Sequence, residues 1–176
     1  MIFTETKIKG VYILEPELLK DARGFFARSF CKEELQNYGL ETEIVQCNIS
    51  YNKKRGTLRG MHYQATPYEE AKIVSCTKGA IHDVVLDLRK YSETYLKWFS
   101  EELSDENFKM MYIPKGCAHG FQTLKDGAVV YYQMTEFFHP ECAKGVRWDD
   151  PIFEIQWPPG ERIISERDKN FRGYFL

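Results

Sequence analysis

Apolar and polar residues alternate along most of this chain in short runs, interrupted by turn signals roughly every 8–12 residues. "GVYILEP" gives way to the polar turn "LKDARG" and then to "FFARSF". After these come "EIVQCNISYN", "EEAKIVSCTKG", "AIHDVVLDLR", "YLKWFSEEL", "KMMYIPKG", "HGFQTL" and "GAVVYYQMTEFF", rich in β-branched and aromatic residues. Lys78-Gly79 reads as the turn of a hairpin between "EEAKIVSCTKG" and "AIHDVVLDLR". One stretch, "SFCKEELQNYG", reads as a helix, with Ser29 as its cap and Gly39 just past its end. Many short strands and almost no helix predict an all-β sandwich or jelly-roll barrel with short peripheral helices, in a single domain over residues 1–176. The tail from Asp149 onward, "DDPIFEIQWPPGERIISERDKNF", reads as loop.

Within "AIHDVVLDLR" the alternation separates two faces. Asp83, Val85 and Asp87 share one, and His82, Val84, Leu86 and Leu88 share the other. Two aspartates on one face either line an interior cavity or mark a solvated strand surface. Periodicity alone leaves both readings open.

Composition narrows the function classes. A chain of 176 residues can bury a full core without disulfide or metal staples. The formal charge of −2 offers no general attraction to nucleic acid or an anionic membrane, so an anionic ligand would need a local cationic cluster. The five cysteines are widely spaced and form no C-x-x-C pair, which predicts reduced thiols and a cytoplasmic setting. The first residues carry no signal-peptide pattern, and no apolar run reaches the ~18–20 residues of a membrane span.

Candidate chemistry begins at "GTLRGMHYQ", where Arg59 and His62 stand three residues apart. The other histidines are His82, His119 and His139; the last sits in the turn "FFHPE" and reads as a surface residue. "PKGCAHGF" has the form P-x-G-x-x-H of the second cupin motif, but a metal-binding cupin also needs H-x-H, and the matching stretch here is His62-Tyr63-Gln64. With a ligand missing, a metal site is not expected. A metal-free cavity containing histidine, tyrosine and lysine suits proton transfer. Arg23, Arg59, Lys72 and Arg167 add cations, and the guanidinium forks of the three arginines match phosphate oxygens.

"DARGFF", "QCNISYNKKRGTLRGMHYQ", "EEAKIVSCTKGAIHDVVLDLR", "SETYLKW", "YIPKGCAHGF", "WDDP" and "SERD" resemble, in this order, the motifs of the dTDP-4-dehydrorhamnose 3,5-epimerases, over nearly the whole chain. The resemblance implies a cupin-type jelly roll without metal or other cofactor, assembled as a homodimer with exchanged N-terminal strands. It implies inversion of C3 and C5 in a nucleotide-linked 4-keto-6-deoxy sugar. Carried onto this sequence, it makes His62 the base, Asp168 its partner and Tyr132 the acid, with Lys72 near the C4 oxygen and His119 close to the sugar. Arg23, Arg59 and Arg167 would hold the diphosphate, with Gln46, Asn48 and Phe26 contributing to substrate binding.

Three positions depart from the family pattern on the nucleotide side. A glutamate five residues after the arginine of D-x-R-G is Arg28 here, a stacking tyrosine is Phe138, and a further glutamate is Ala143. Phenylalanine still stacks, whereas arginine only donates where glutamate accepts. Either Arg28 turns outward and thymine is read by other groups, or the base is guanine or cytosine. A single-position 3- or 5-epimerase is the nearest rival activity. A non-catalytic sugar-nucleotide-binding jelly roll and a metal-dependent cupin are the alternatives from other classes.

Overall fold

The computed structural model describes residues 1–174. Two antiparallel sheets form the walls, with elements numbered in chain order. The first sheet runs β1 (Ile2–Glu5), β2 (Tyr12–Glu15), β10 (Met110–Ile113), β7 (Lys72–Lys78), β12 (Ala128–Met134) and β5 (Gln46–Asn52). The second runs β13 (Ala143–Gly145), β6 (Thr57–Gln64), β11 (Cys117–Thr123), β8 (Ala80–Asp87) and β9 (Trp98–Ser104), and β14 (Ile163–Ile164) joins β6 in parallel. β3 (Leu19–Asp21) and β4 (Gly24–Phe26) form a separate hairpin, and the two helices are α1 (Lys32–Asn37) and α2 (Glu166–Lys169). This is the all-β jelly roll expected from the short strand-like runs, of the cupin type that the resemblance implied.

Period-two alternation explains the core. Val74, Met111 and Val130 from one sheet meet Ile81, Val85 and Phe121 from the other in the main cluster. The outer faces are covered too: Leu35 of α1 packs against Leu14 and Ile73 behind the first sheet. Behind the second, Phe153 and Trp157 of the C-terminal segment pack near Met61, Val84 and Leu86. Both faces of β8 are therefore dry, and Asp83 and Asp87 are fully buried rather than solvated. Asp87 is satisfied structurally by Arg89, Ser92 and Thr94.

Three local expectations change. Lys78-Gly79 is no hairpin turn, because β7 pairs with β10 and β12 while β8 pairs with β11 and β9. Gly79, at φ +78°, instead carries the chain from one wall to the other. α1 starts at Lys32 with Cys31 at its N-cap and no capping side chain, so Ser29 lies before the helix. Phe30, packed in the cluster behind the first sheet, anchors the entry instead. Gly39 does follow the helix in the left-handed region. The tail is not all loop: it yields β14 and α2, and its apolar residues lack a regular period because they plug a sheet face rather than extend one. β1 folds back on β2 of its own chain. Among the described residues, no helix is long and apolar enough to cross a membrane.

Candidate active site

A cavity of about 550 Å³ opens between the walls, in the size range of small-molecule sites. β5 contributes Gln46 and Asn48, β7 contributes Lys72, β11 contributes His119 and β12 contributes Tyr132. All five obey the inward parity of their strands. β6 does not: Arg59 and His62 are an odd number of residues apart, yet both line the cavity. The ladder between β6 and β11 is irregular between these two positions, and that shift turns both side chains to one side. The close approach at this point requires glycine. A Cβ on Gly60 would lie 2.6 Å from Gly120 Cα and 2.8 Å from the His119 carbonyl oxygen.

Asp168, on α2, reaches His62 from behind. Its Oδ1 lies 2.7 Å from His62 Nε2, and the Gly60 N–H donates to its Oδ2 at 3.2 Å. The Asp168 N–H donates to Ser165 Oγ, which caps α2 and fixes the carboxylate's direction. Burial pushes the Asp168 carboxyl up, but the hydrogen bond and charge of His62 and the Gly60 N–H outweigh it and hold it below the usual carboxylate range. Phe171 stands edge-on to the His62 ring at 5.9 Å. A carboxylate at Nε2 selects the tautomer protonated there and leaves the Nδ1 lone pair able to accept a proton.

Tyr132 belongs to the opposite wall. Burial pushes its hydroxyl above the ordinary tyrosine value; the nearby Arg59 charge opposes this and the Glu70 charge reinforces it, so the phenol stays protonated. Lys72 Nζ pairs with Glu70 Oε1 at 2.6 Å, with both side chains largely buried. His119 Nε2 meets Asp83 Oδ1 at 2.7 Å. Neither reading of the β8 aspartates holds as stated: Asp83 is fully buried behind His119 and does not itself line the cavity. Among the described residues no three His, Cys, Asp or Glu side chains come together as a metal-ligand cluster.

Arg59 Nε donates to Asn52 Oδ1 at 2.8 Å and its Nη2 to the Tyr51 carbonyl at 3.5 Å, and Arg59 and Arg167 both line the cavity. Gln46 Nε2 donates to Asn48 Oδ1, and the Phe138 N–H donates to Gln46 Oε1 at 3.0 Å. Phe138 and Ala143 both line the cavity. Arg23, Phe26 and Arg28 do not. They lie on and after the β3–β4 hairpin, Arg23 paired with Asp21 and Phe26 72% exposed. Arg28 Nη1 lies 2.5 Å from Glu34 Oε1, so its charge is met by a carboxylate of α1. Sequence reasoning missed Glu70 and Lys144 as lining residues. Glu70 carried a signal, standing two residues before Lys72 in extended chain and hence on the same face. Lys144 carried none.

A family profile described as dTDP-4-dehydrorhamnose 3,5-epimerase matches residues 5–174. The dTDP-4-dehydrorhamnose 3,5-epimerase of Methanothermobacter thermautotrophicus is 44% identical over 173 residues, 97% of this chain and 92% of that protein. The crystal structure of the enzyme of that name from Elizabethkingia anophelis superposes with a TM-score of 0.96 at 38% identity, covering 99% of this chain and 96% of the other. The Bacillus anthracis enzyme, solved with TDP and pyrophosphate bound, gives 0.95 at 38% identity, covering 98% and 99%. With the jelly roll, the histidine–aspartate pair and the opposed tyrosine in one cavity, this similarity over nearly the full length places the chain in the dTDP-4-dehydrorhamnose 3,5-epimerase family.

Proposed function

We propose that this chain is an isomerase inverting C3 and C5 of a dTDP-linked 4-keto-6-deoxy sugar by proton transfer through an enolate. The observation that carries the reading is the placement of His62, backed by Asp168, on one wall and protonated Tyr132 on the other. Inversion needs a base and an acid on opposite faces of the sugar ring. His62 takes the proton alpha to the ketone, and Asp168 stabilises the imidazolium that forms. Lys72 and His119 offset the charge growing on the C4 oxygen, an effect typically larger than the proton transfer itself. Tyr132 returns a proton from the far side.

Arg59 and Arg167 hold the diphosphate, and Gln46, Asn48 and Phe138 hold the nucleoside. The engagement of Arg28 by Glu34 favours thymine over guanine or cytosine, since a neutralised fork is poorly placed to read an acceptor edge. Arg23 and Phe26 act in the cavity of a second copy, in a homodimer whose N-terminal segments cross between subunits.

The test is turnover of dTDP-, GDP- and CDP-4-keto-6-deoxyglucose in heavy water, read by mass spectrometry. Two exchanged positions with a clear dTDP preference are expected; one exchanged position would reduce the activity to a single-site epimerase, and a GDP or CDP preference would sink the thymidine assignment. His62→Ala should lower turnover by about 10²–10⁴ while dTDP binding persists.

A further inference from the structure

Gln64 ends β6 two residues after His62, where a metal-binding cupin would carry its second histidine. It is only 4% exposed, and its amide joins two segments that leave the sheets nearby. The amide nitrogen donates to the Tyr68 carbonyl at 2.8 Å, in the β6–β7 connection, and to the Phe137 carbonyl at 3.0 Å, between β12 and β13. The amide oxygen accepts from the His139 N–H at 2.6 Å. Two carbonyls on one side and an N–H on the other fix which way the amide faces, and both of its N–H donors are used. The bonds to Phe137 and His139 bracket Phe138, which lines the cavity. The peptide group before Phe138 is held by Gln64 at its carbonyl and by Gln46 Oε1 at its N–H, and the one after it by Gln64 again. Burial does not hold this stretch, since Phe137 is 57% and Phe138 52% exposed. Hydrogen bonds to the backbone therefore set the direction of the Phe138 ring.

Resting on the reading of Phe138 as the platform for the nucleobase, we infer that Gln64 is a positioning residue: it raises affinity for the nucleotide by holding Phe138 in its stacking direction before the base arrives. Its amide is spent on three backbone groups, so it acts through the Phe138 ring and not by reading the base itself. An exposed aromatic on a loose segment must be ordered at the moment of binding, and that ordering subtracts from the affinity. Gln64 moves the cost into folding. An amide that only braced the fold would change stability and leave the affinity of folded protein untouched.

The experiment is a double-mutant cycle on dTDP affinity, measured by titration calorimetry on protein shown to be folded by circular dichroism. Phe138→Ala should weaken dTDP binding roughly 10–100-fold, as expected for a lost stacking platform. Gln64→Met, similar in size but unable to make these bonds, should weaken it about 3–10-fold, the cost of ordering the segment on binding. Made in the Phe138→Ala protein, the same Gln64→Met change should alter affinity by less than about 2-fold, because no ring remains to be positioned. Gln64→Glu keeps the acceptor for the His139 N–H but turns an oxygen toward two carbonyls. It should lose at least as much affinity as Gln64→Met, and it replaces that variant in the cycle if the methionine protein does not fold. Wild-type affinity in the folded Gln64 variant, or an equal loss with and without the Phe138 ring, would overturn the inference. The two readings fail separately: an unchanged affinity in Phe138→Ala would remove the stacking role and this inference with it, whereas a loss there beside an inert Gln64 would remove the inference alone.

Discussion

In the proposed mechanism His62 serves as the base, because Asp168 occupies one ring nitrogen and leaves the other free. Tyr132 serves there as the acid, because burial keeps its proton on. If the two divide the labour, Tyr132→Phe leaves abstraction intact. In heavy water it should incorporate deuterium with retained configuration, while epimerised product falls by about 10²–10⁴. Loss of exchange together with inversion would move the base role away from His62. The pair also makes stability depend on pH. The Asp168 carboxyl is held below its ordinary value of about 3.9, so it contributes stability above that value, and the contribution is lost as pH falls through the depressed one. In urea unfolding, Asp168→Asn should therefore trail wild type by a constant amount near neutrality, and the gap should close below about pH 4. A gap that persists in acid would trace to lost packing instead. The roles of His62, Tyr132 and Lys72 were expected from their motifs. The His119–Asp83 pairing was not, since it joins groups distant in the chain that only packing brings to 2.7 Å, whereas the Lys72–Glu70 pairing had a local signal in its two-residue spacing.

At the scale of elements, β6 departs from its own period. A regular strand would send Arg59 and His62 to opposite faces, and the irregularity beside Gly60 brings them to one. Gly60→Ala would thrust a Cβ into the β11 backbone from φ +123°. It should cost about 2–3 kcal/mol in urea unfolding and suppress activity by displacing His62. Full stability in that variant would refute the close-approach argument. Motif spacing marked this glycine without explaining it, because the atoms it must avoid belong to a strand some sixty residues on. The hairpin misread at Lys78-Gly79 has the same origin: alternation locates strands but does not assign them to sheets. The tail was opaque for a different reason. Its apolar side chains cover a face of the second sheet, which demands no period, while its short helix exists to present Asp168.

At the scale of the molecule, the β3–β4 hairpin presents Phe25, Phe26 and Leu19 to solvent, away from its own cavity. If it completes a neighbour's site, Arg23→Ala and His62→Ala proteins, each poor alone, should complement when refolded together. Mixed dimers would carry one intact site, giving about a quarter of wild-type turnover. No recovery beyond the sum of the two would return Arg23 and Phe26 to a role within their own chain. The sequence by itself determined the fold class, through its many short strand-like runs, and proton transfer as the kind of chemistry, through its residue types, while the sugar substrate came from the resemblance of its ordered motifs to a family. Tertiary structure decided which residues meet. It set the strand irregularity that turns Arg59 and His62 together, the tail that carries Asp168 behind the base, and the burial that leaves Glu70 half satisfied. Such facts depend on contacts between segments distant in the chain, and local alternation carries no record of them.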